Sequence, residues 1–192
     1  MRNLPEYENV DSALAKRLSD LRRNRGLSLD QAASLSGVSR ATLSRVERGE
    51  TSPTAHILGL LSVAYGITWS VLLGGLDEAP PSVLPRNEAS FWTDPETGFQ
   101  RWSISPPARG YDIELVWSEL PAGARLEYPP PAYSGMEKHI LLLEGELRYM
   151  VGDKIYMLKA NDTLRVKLYG ETALESCGQS AAKYLLAIRS SQ

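Results

Sequence analysis

The sequence predicts an α-helical domain followed by an all-β sandwich or barrel, and three observations carry that expectation. Apolar residues recur with helical spacing up to about residue 74 and in short strand-like runs after residue 110. Ten of the twelve prolines fall after residue 79. Charge divides at the same place: residues 1–76 hold nine Lys/Arg against seven Asp/Glu, net +2, and residues 77–192 hold twelve against sixteen, net −4. Ala79-Pro80-Pro81-Ser82-Val83-Leu84-Pro85 reads as an extended, semi-rigid linker. The expected organisation is a first domain over 1–76, a linker and lead-in over 77–99, and a second domain over 100–192.

Composition bounds the chemistry. A 43% hydrophobic, 23% charged chain of 192 residues has the make-up of a globular protein with real cores. Its single cysteine, Cys177, closes no intrachain bridge, and the N-terminus lacks the pattern of a secretory signal, so a reducing cytoplasm is expected. No apolar run approaches the roughly 20 residues of a membrane span. There are only two histidines, His56 and His139, which rules out any three-imidazole site within one chain.

Leu14, Leu18 and Leu21 fall at i, i+4 and i+7, and Arg22-Arg23-Asn24-Arg25-Gly26 closes this first helix with basic residues and a glycine stop. Ser28 is the expected N-cap of a second helix carrying Ala32, Ala33 and Leu35 and ending at Gly37. Ser39 caps a third, with Leu43 and Val46 inward and Arg48-Gly49 at its end. Pro53 and Thr54 open a fourth with Ile57, Leu60, Leu61 and Ala64 on its apolar face, and Thr68 starts a fifth. Beyond the linker, the expected strands are Tyr111–Trp117, His139–Leu143, Glu146–Val151, Lys154–Leu158, Thr163–Leu168 and Lys183–Ile188, with a tight hairpin at Val151-Gly152-Asp153-Lys154. Regular short strands of this kind point to an antiparallel sandwich or barrel.

A short helix, a glycine turn and a second short helix suit the major groove, which is about 12 Å wide and admits a helix with its side chains. Small Ala33 lets the two helices approach, and Gly37 supplies a positive φ between them. Leu43 and Val46 face the core and leave Arg40, Ala41, Ser44 and Arg45 outward. Arginine there can bond guanine O6 and N7, and alanine can touch a thymine methyl. The stretch Leu27 to Pro53 closely resembles the phage-repressor, or XRE-type, helix-turn-helix family over roughly residues 11–74. The resemblance implies an internal Arg22–Glu47 pair, phosphate contacts from Ser39, Thr42 and Arg48, and base contacts from Arg40, Ala41, Ser44 and Arg45. Leu29 stands where family members often carry a phosphate-contacting Gln. His56, at the start of the fourth helix, reads as an exposed polar residue.

Pro121-Ala122-Gly123-Ala124-Arg125, Glu137 to Leu147 with its Leu-Glu-Gly-Glu-Leu hairpin, and Leu158 to Leu164 with a turn at Asn161-Asp162 resemble the cupin family over roughly 100–190. The whole is then an α plus all-β chain: an N-terminal five-helix helix-turn-helix domain followed by a C-terminal cupin domain, a jelly-roll β-barrel. Metal-binding cupins present a His-x-His pair, a Glu and a later His. Here the matching places hold Pro129-Pro130-Pro131-Ala132-Tyr133, Lys138 and Thr172. No metal and no cofactor are therefore expected. A strand that turns Lys138 inward also turns Ile140 and Leu142 inward; with Trp117, Tyr128, Tyr133, Met157 and Thr172 these are the candidate effector-binding residues. Such a cavity suits a small carboxylate or amino acid, with Lys138 alternatively paired to Glu127 or Glu137.

The expected function is transcription regulation: a homodimer holding two reading helices on a palindromic operator of double-stranded DNA, with the barrel as small-molecule sensor and no membrane partner. One rival is an iron-dependent oxygenase or epoxidase, which some proteins of this two-domain layout resemble. The other is a constitutive DNA-binding protein whose barrel only dimerises.

Overall fold

The structure is a computed structural model that describes residues 8–76 and 80–189, with side chains from residue 12 onward. Ala79, the first linker residue, lies outside the described residues. Five helices come first: α1 (Glu8–Asn24), α2 (Leu29–Ser36), α3 (Arg40–Glu47), α4 (Ala55–Tyr65) and α5 (Trp69–Gly74). Each boundary has a local chemical cause. The Ser28 hydroxyl accepts from Gln31 N while the Gln31 side chain accepts from Ser28 N, a reciprocal cap that stabilises α2 by about 1 kcal/mol. Gly37 then stops α2 at φ +74°. Ser39, Thr54 and Thr68 cap α3, α4 and α5 through Thr42 N, Ile57 N and Val71 N.

Leu14, Leu18, Leu43 and Val46 are buried as the spacing requires, but Leu35 is 56% exposed. The expected apolar face of α4 is rotated. Ala55, Leu58, Leu61 and Tyr65 are buried, whereas Ile57, Leu60 and Ala64 are only partly so. α4 is packed from two sides, by the other helices and by the β domain, and a single-stripe pattern cannot describe a helix in that position.

The β domain has ten antiparallel strands: β1 (Ser90–Thr93), β2 (Gln100–Ser105), β3 (Ile113–Leu120), β4 (Arg125–Tyr128), β5 (Met136–Glu144), β6 (Glu146–Val151), β7 (Lys154–Lys159), β8 (Thr163–Leu168), β9 (Thr172–Ser176) and β10 (Ala182–Arg189). They form a six-stranded sheet in the order β1-β2-β3-β10-β5-β8 facing a four-stranded sheet β4-β9-β6-β7, a jelly roll of the cupin type. The stretch 77–99 thus contributes β1 to the larger sheet. Tyr111 and Asp112 precede β3, which runs on to Leu120, and β1, β2, β4 and β9 add to the six expected strands. Gly145 turns β5 into β6 at φ +82°, and a Cβ there would lie 2.6 Å from Ala181 O.

The two domains share one continuous core, from Leu14 through Leu72 and Trp92 to Ile188. Trp69 of α5 meets Trp92 edge-on at 5.8 Å and Tyr128 at 5.1 Å. Buried Asp94, between β1 and β2, accepts from Ala55 N at 3.1 Å, setting a carboxylate at the positive end of α4. Tyr133 OH donates to Gly66 O at the end of the same helix. The helical domain is therefore seated over one end of the barrel. Among the described residues no helix is long and apolar enough to cross a membrane.

Candidate functional site

Two surfaces carry chemistry, and the first is α3. Its buried Leu43 and Val46 fix it to the core, and on the other side Arg40, Ala41 and Arg45 are exposed, with Thr42 and Ser44 half-buried beside them. From behind, α3 is held by an ion pair: Arg22 Nε and Nη2 each meet a Glu47 carboxylate oxygen at 2.7 Å, and Arg22 Nη1 donates to Leu27 O at 2.7 Å. Ser39 spends its hydroxyl on capping, accepting from Thr42 N and bonding Thr42 Oγ1 at 2.8 Å. Arg40 reaches Asp30 at 3.1 Å, and Arg48 pairs with Glu50 at 2.6 Å and touches Ser44. These exposed pairs are weak. His56 is exposed on α4.

The second surface is a cavity of ≈ 90 Å³ at the covered end of the barrel. Inward alternation on β2 and β3 places Arg101 and Glu114 there, Lys138 comes from β5, and Tyr149, Thr172 and Tyr184 come from β6, β9 and β10. Glu114 and Lys138 both pair with Ile188 of β10, so they flank it across the sheet. The roof comes from the helical domain: Gly59, Ser62 and Val63 of α4, Thr68, and Trp69 of α5. Gly59 is required there, because a Cβ would lie 2.9 Å from Pro129 Cδ.

Ser70 of α5, fully buried, joins the domains through charge. Its hydroxyl accepts from Arg101 Nη2 at 2.6 Å, and it stands near enough to Glu114 to oppose the effect of burial on that carboxyl. Arg101 Nε and Glu114 Oε2 remain buried without a hydrogen-bond partner. Burial pushes Lys138 down to about 8, with Arg101 adding to the shift and Glu114 opposing it. Burial also raises Glu114, against the pull of Arg101, Ser70 and Lys138. Tyr149 and Tyr184 are held by burial above the usual tyrosine range and stay neutral.

The Lys138 shift has a stability consequence. Between about 8 and 10.5 the unfolded chain holds a proton that folded Lys138 has lost, so this contribution to stability rises with pH across that window. Below it, the charged amine costs about 3 kcal/mol. Urea unfolding of wild type and Lys138→Met at stepped pH checks this: the gap between them is expected to close from pH 8 to 10.5, and a constant gap would contradict it.

Of the expected effector residues, Tyr128, Lys138 and Thr172 line the cavity. Ile140 and Leu142 point inward as Lys138 does, but lie deeper, fully buried in the core. Trp117 faces outward on β3, under the Arg86 guanidinium at 5.1 Å and donating to Glu119. Met157 is 56% exposed on β7. Tyr133 sits outside the roof, bonded to Gly66. The alternative partners of Lys138 are engaged elsewhere, Glu127 with Arg125 and Glu137 with His139 at 2.8 Å. Arg101, Glu114, Ser70 and Trp69 were not foreseen. The available signal was phase: Glu114 alternates in step with Val116 and Leu120, and Arg101 with Ser103.

The barrel does not fit a metal ion. Its single inward carboxylate stands beside two cations, both histidines lie away from the cavity, and the described residues contain no group of three or more His, Cys, Asp or Glu able to hold one.

The helix-turn-helix family model matches residues 18–72. The N-terminal domain is an XRE-type helix-turn-helix. Over a longer stretch, the chain is 29% identical to the HTH-type transcriptional regulator SutR of Escherichia coli (strain K12), across 82% of this chain and 84% of that protein. The crystal structure of an HTH_3 family transcriptional regulator from Vibrio cholerae covers 96% of this chain and 99% of its own, at 25% identity and a TM-score of 0.77. HppE, solved with Fe(II), aligns over 93% of this chain and 99% of its own at 17% identity and a TM-score of 0.50, a likeness of fold alone. The whole two-domain architecture therefore recurs, over this length, in the Vibrio cholerae regulator.

Proposed function

We propose that the chain is a transcription regulator that binds a palindromic DNA operator as a homodimer and changes its DNA affinity when a small organic effector occupies the barrel cavity. The observation that carries the first part is α3: an eight-residue helix locked from behind by Leu43, Val46 and the Arg22–Glu47 pair, with Ala41 and Arg45 exposed toward base edges and Arg40 held only by its exposed pair with Asp30. One such helix reads only a half-site. Two copies related by a two-fold axis place their helices about 34 Å apart, one turn of DNA.

The sensing half rests on the position of the cavity. Its floor is barrel and its roof is α4 and α5, so a ligand inside touches both domains. A ligand shifts DNA affinity only by binding two arrangements of the domains unequally, and a shared cavity supplies unequal contacts. Ser70, which accepts from Arg101 from the helical side, is the group most exposed to that competition.

Arg45→Ala tests the reading helix. Selection of duplexes from a random pool is expected to show preference relaxed at one base position, worth about 1–3 kcal/mol, with other positions kept. Equal loss on all sequences, with a smaller salt slope, would make Arg45 a phosphate contact instead.

A further inference from the structure

We propose that the cavity takes a small α-amino acid as its zwitterion, with the carboxylate on Arg101 and Lys138 and the ammonium on Glu114. This rests on the effector reading and narrows its ligand class. The argument begins with what is left unpaired. Arg101 Nε is a buried charged donor without a partner, and Glu114 Oε2 is a buried acceptor without one. Each such group destabilises the empty cavity until something meets it. A plain carboxylate satisfies Arg101 and faces the Glu114 oxygen with like charge. A plain amine does the reverse.

Only a molecule with both signs a few ångströms apart satisfies the two together. Ser70 meets only one side of this pair, its hydroxyl accepting from Arg101 Nη2. Lys138 adds a second cation on the Arg101 side of the charge balance. The rings of Tyr128, Tyr184 and Trp69 line the same space, with the Arg101 guanidinium 5.9 Å from the Trp69 ring centroid. Size narrows the choice further. A volume of ≈ 90 Å³ at roughly 10–15 Å³ per water position holds about six to nine non-hydrogen atoms, a range that takes in alanine and serine.

The test is calorimetric titration of the full-length protein with L-alanine, L-serine, propionate and ethylamine. L-Alanine or L-serine is expected to bind, with propionate and ethylamine weaker by at least about tenfold, the cost of one group left unpaired. Glu114→Gln is expected to weaken the amino acid by a similar factor and to leave propionate unchanged or tighter. Because that variant removes a buried charge, its fold is checked by circular dichroism, and the wild-type panel stands without it. Propionate binding as well as L-alanine overturns the zwitterion and leaves an acid-sensing barrel. None of the four binding to folded wild type overturns it as well. L-Alanine binding with no effect on DNA affinity keeps the site and overturns the effector reading instead.

Discussion

Glu47→Ala is expected to destabilise the protein by about 3 kcal/mol and to abolish sequence-specific DNA binding. The side chains of Arg22 and Glu47 are 11% and 9% exposed, and their two parallel 2.7 Å bonds join the end of α1 to the end of α3. Removing the carboxylate leaves a mostly desolvated guanidinium with Leu27 O as its only acceptor in this group of contacts. Breaking a buried pair on one side costs about 3–5 kcal/mol, far more than the net worth of the pair, because the remaining charge is uncompensated. A guanidinium stays protonated in proteins without any partner, so Arg22 does not escape the cost by losing its proton once Glu47 is gone. For a chain of this size the loss corresponds to roughly 6–12 °C in Tm. The functional loss follows from geometry, since the pair sets the angle at which α3 leaves the domain. Glu47→Gln, which can keep one bond, is expected to fall between. A Tm drop below 2 °C for Glu47→Ala would show that the pair does not orient α3.

Lys138→Met is expected to stabilise the protein by about 2 kcal/mol at pH 7, or roughly 4–8 °C in Tm, while removing its response to acids and amino acids. Methionine keeps most of the volume and the apolar stem and gives up the charge. The cost of that charge is visible in the pKa, which burial and neighbouring Arg101 bring down to about 8. Folding therefore proceeds in spite of Lys138, and the proposed ligand site is what gives a use to an amine held at such a cost beside the unpartnered Arg101 Nε. Thermal melts with and without L-alanine read both halves. Destabilisation by Lys138→Met would mean that the amine is a structural partner of Glu114 and not a ligand contact.

The helical domain was legible almost residue by residue because its signals are local. Ser28, Gly37, Ser39, Thr54 and Thr68 mark helix ends by what their own side chains or φ angles do within three residues. The exposed face of α3 followed from the positions of Leu43 and Val46 alone. What failed was α4, where a second packing partner 70 residues away rotates the buried face; Gly59 meets Pro129 and no pattern within the helix announces it. In the barrel, inward pointing at Lys138 was correct because strand parity is local, yet parity does not tell depth. Ile140 and Leu142 share its face and lie below the cavity. Trp117 was lost by one place, since it lies on the outer face between inward Val116 and Ser118. Arg101 and Glu114 escaped because charge in a strand reads as surface by default, and their burial is set by pairing across β2, β3 and β10.

The central claim is that occupancy of a cavity roofed by α4 and α5 is felt by α3. Its most direct measurement is fluorescence anisotropy of a duplex selected by the wild-type protein, titrated with and without saturating L-alanine, with Tm recorded in the same solutions. The account expects the ligand to raise Tm and to change DNA affinity by about fivefold or more, a coupling of at least ~1 kcal/mol. A raised Tm with unchanged DNA affinity would contradict it, because the ligand would then fill the barrel without reaching the helices that read DNA.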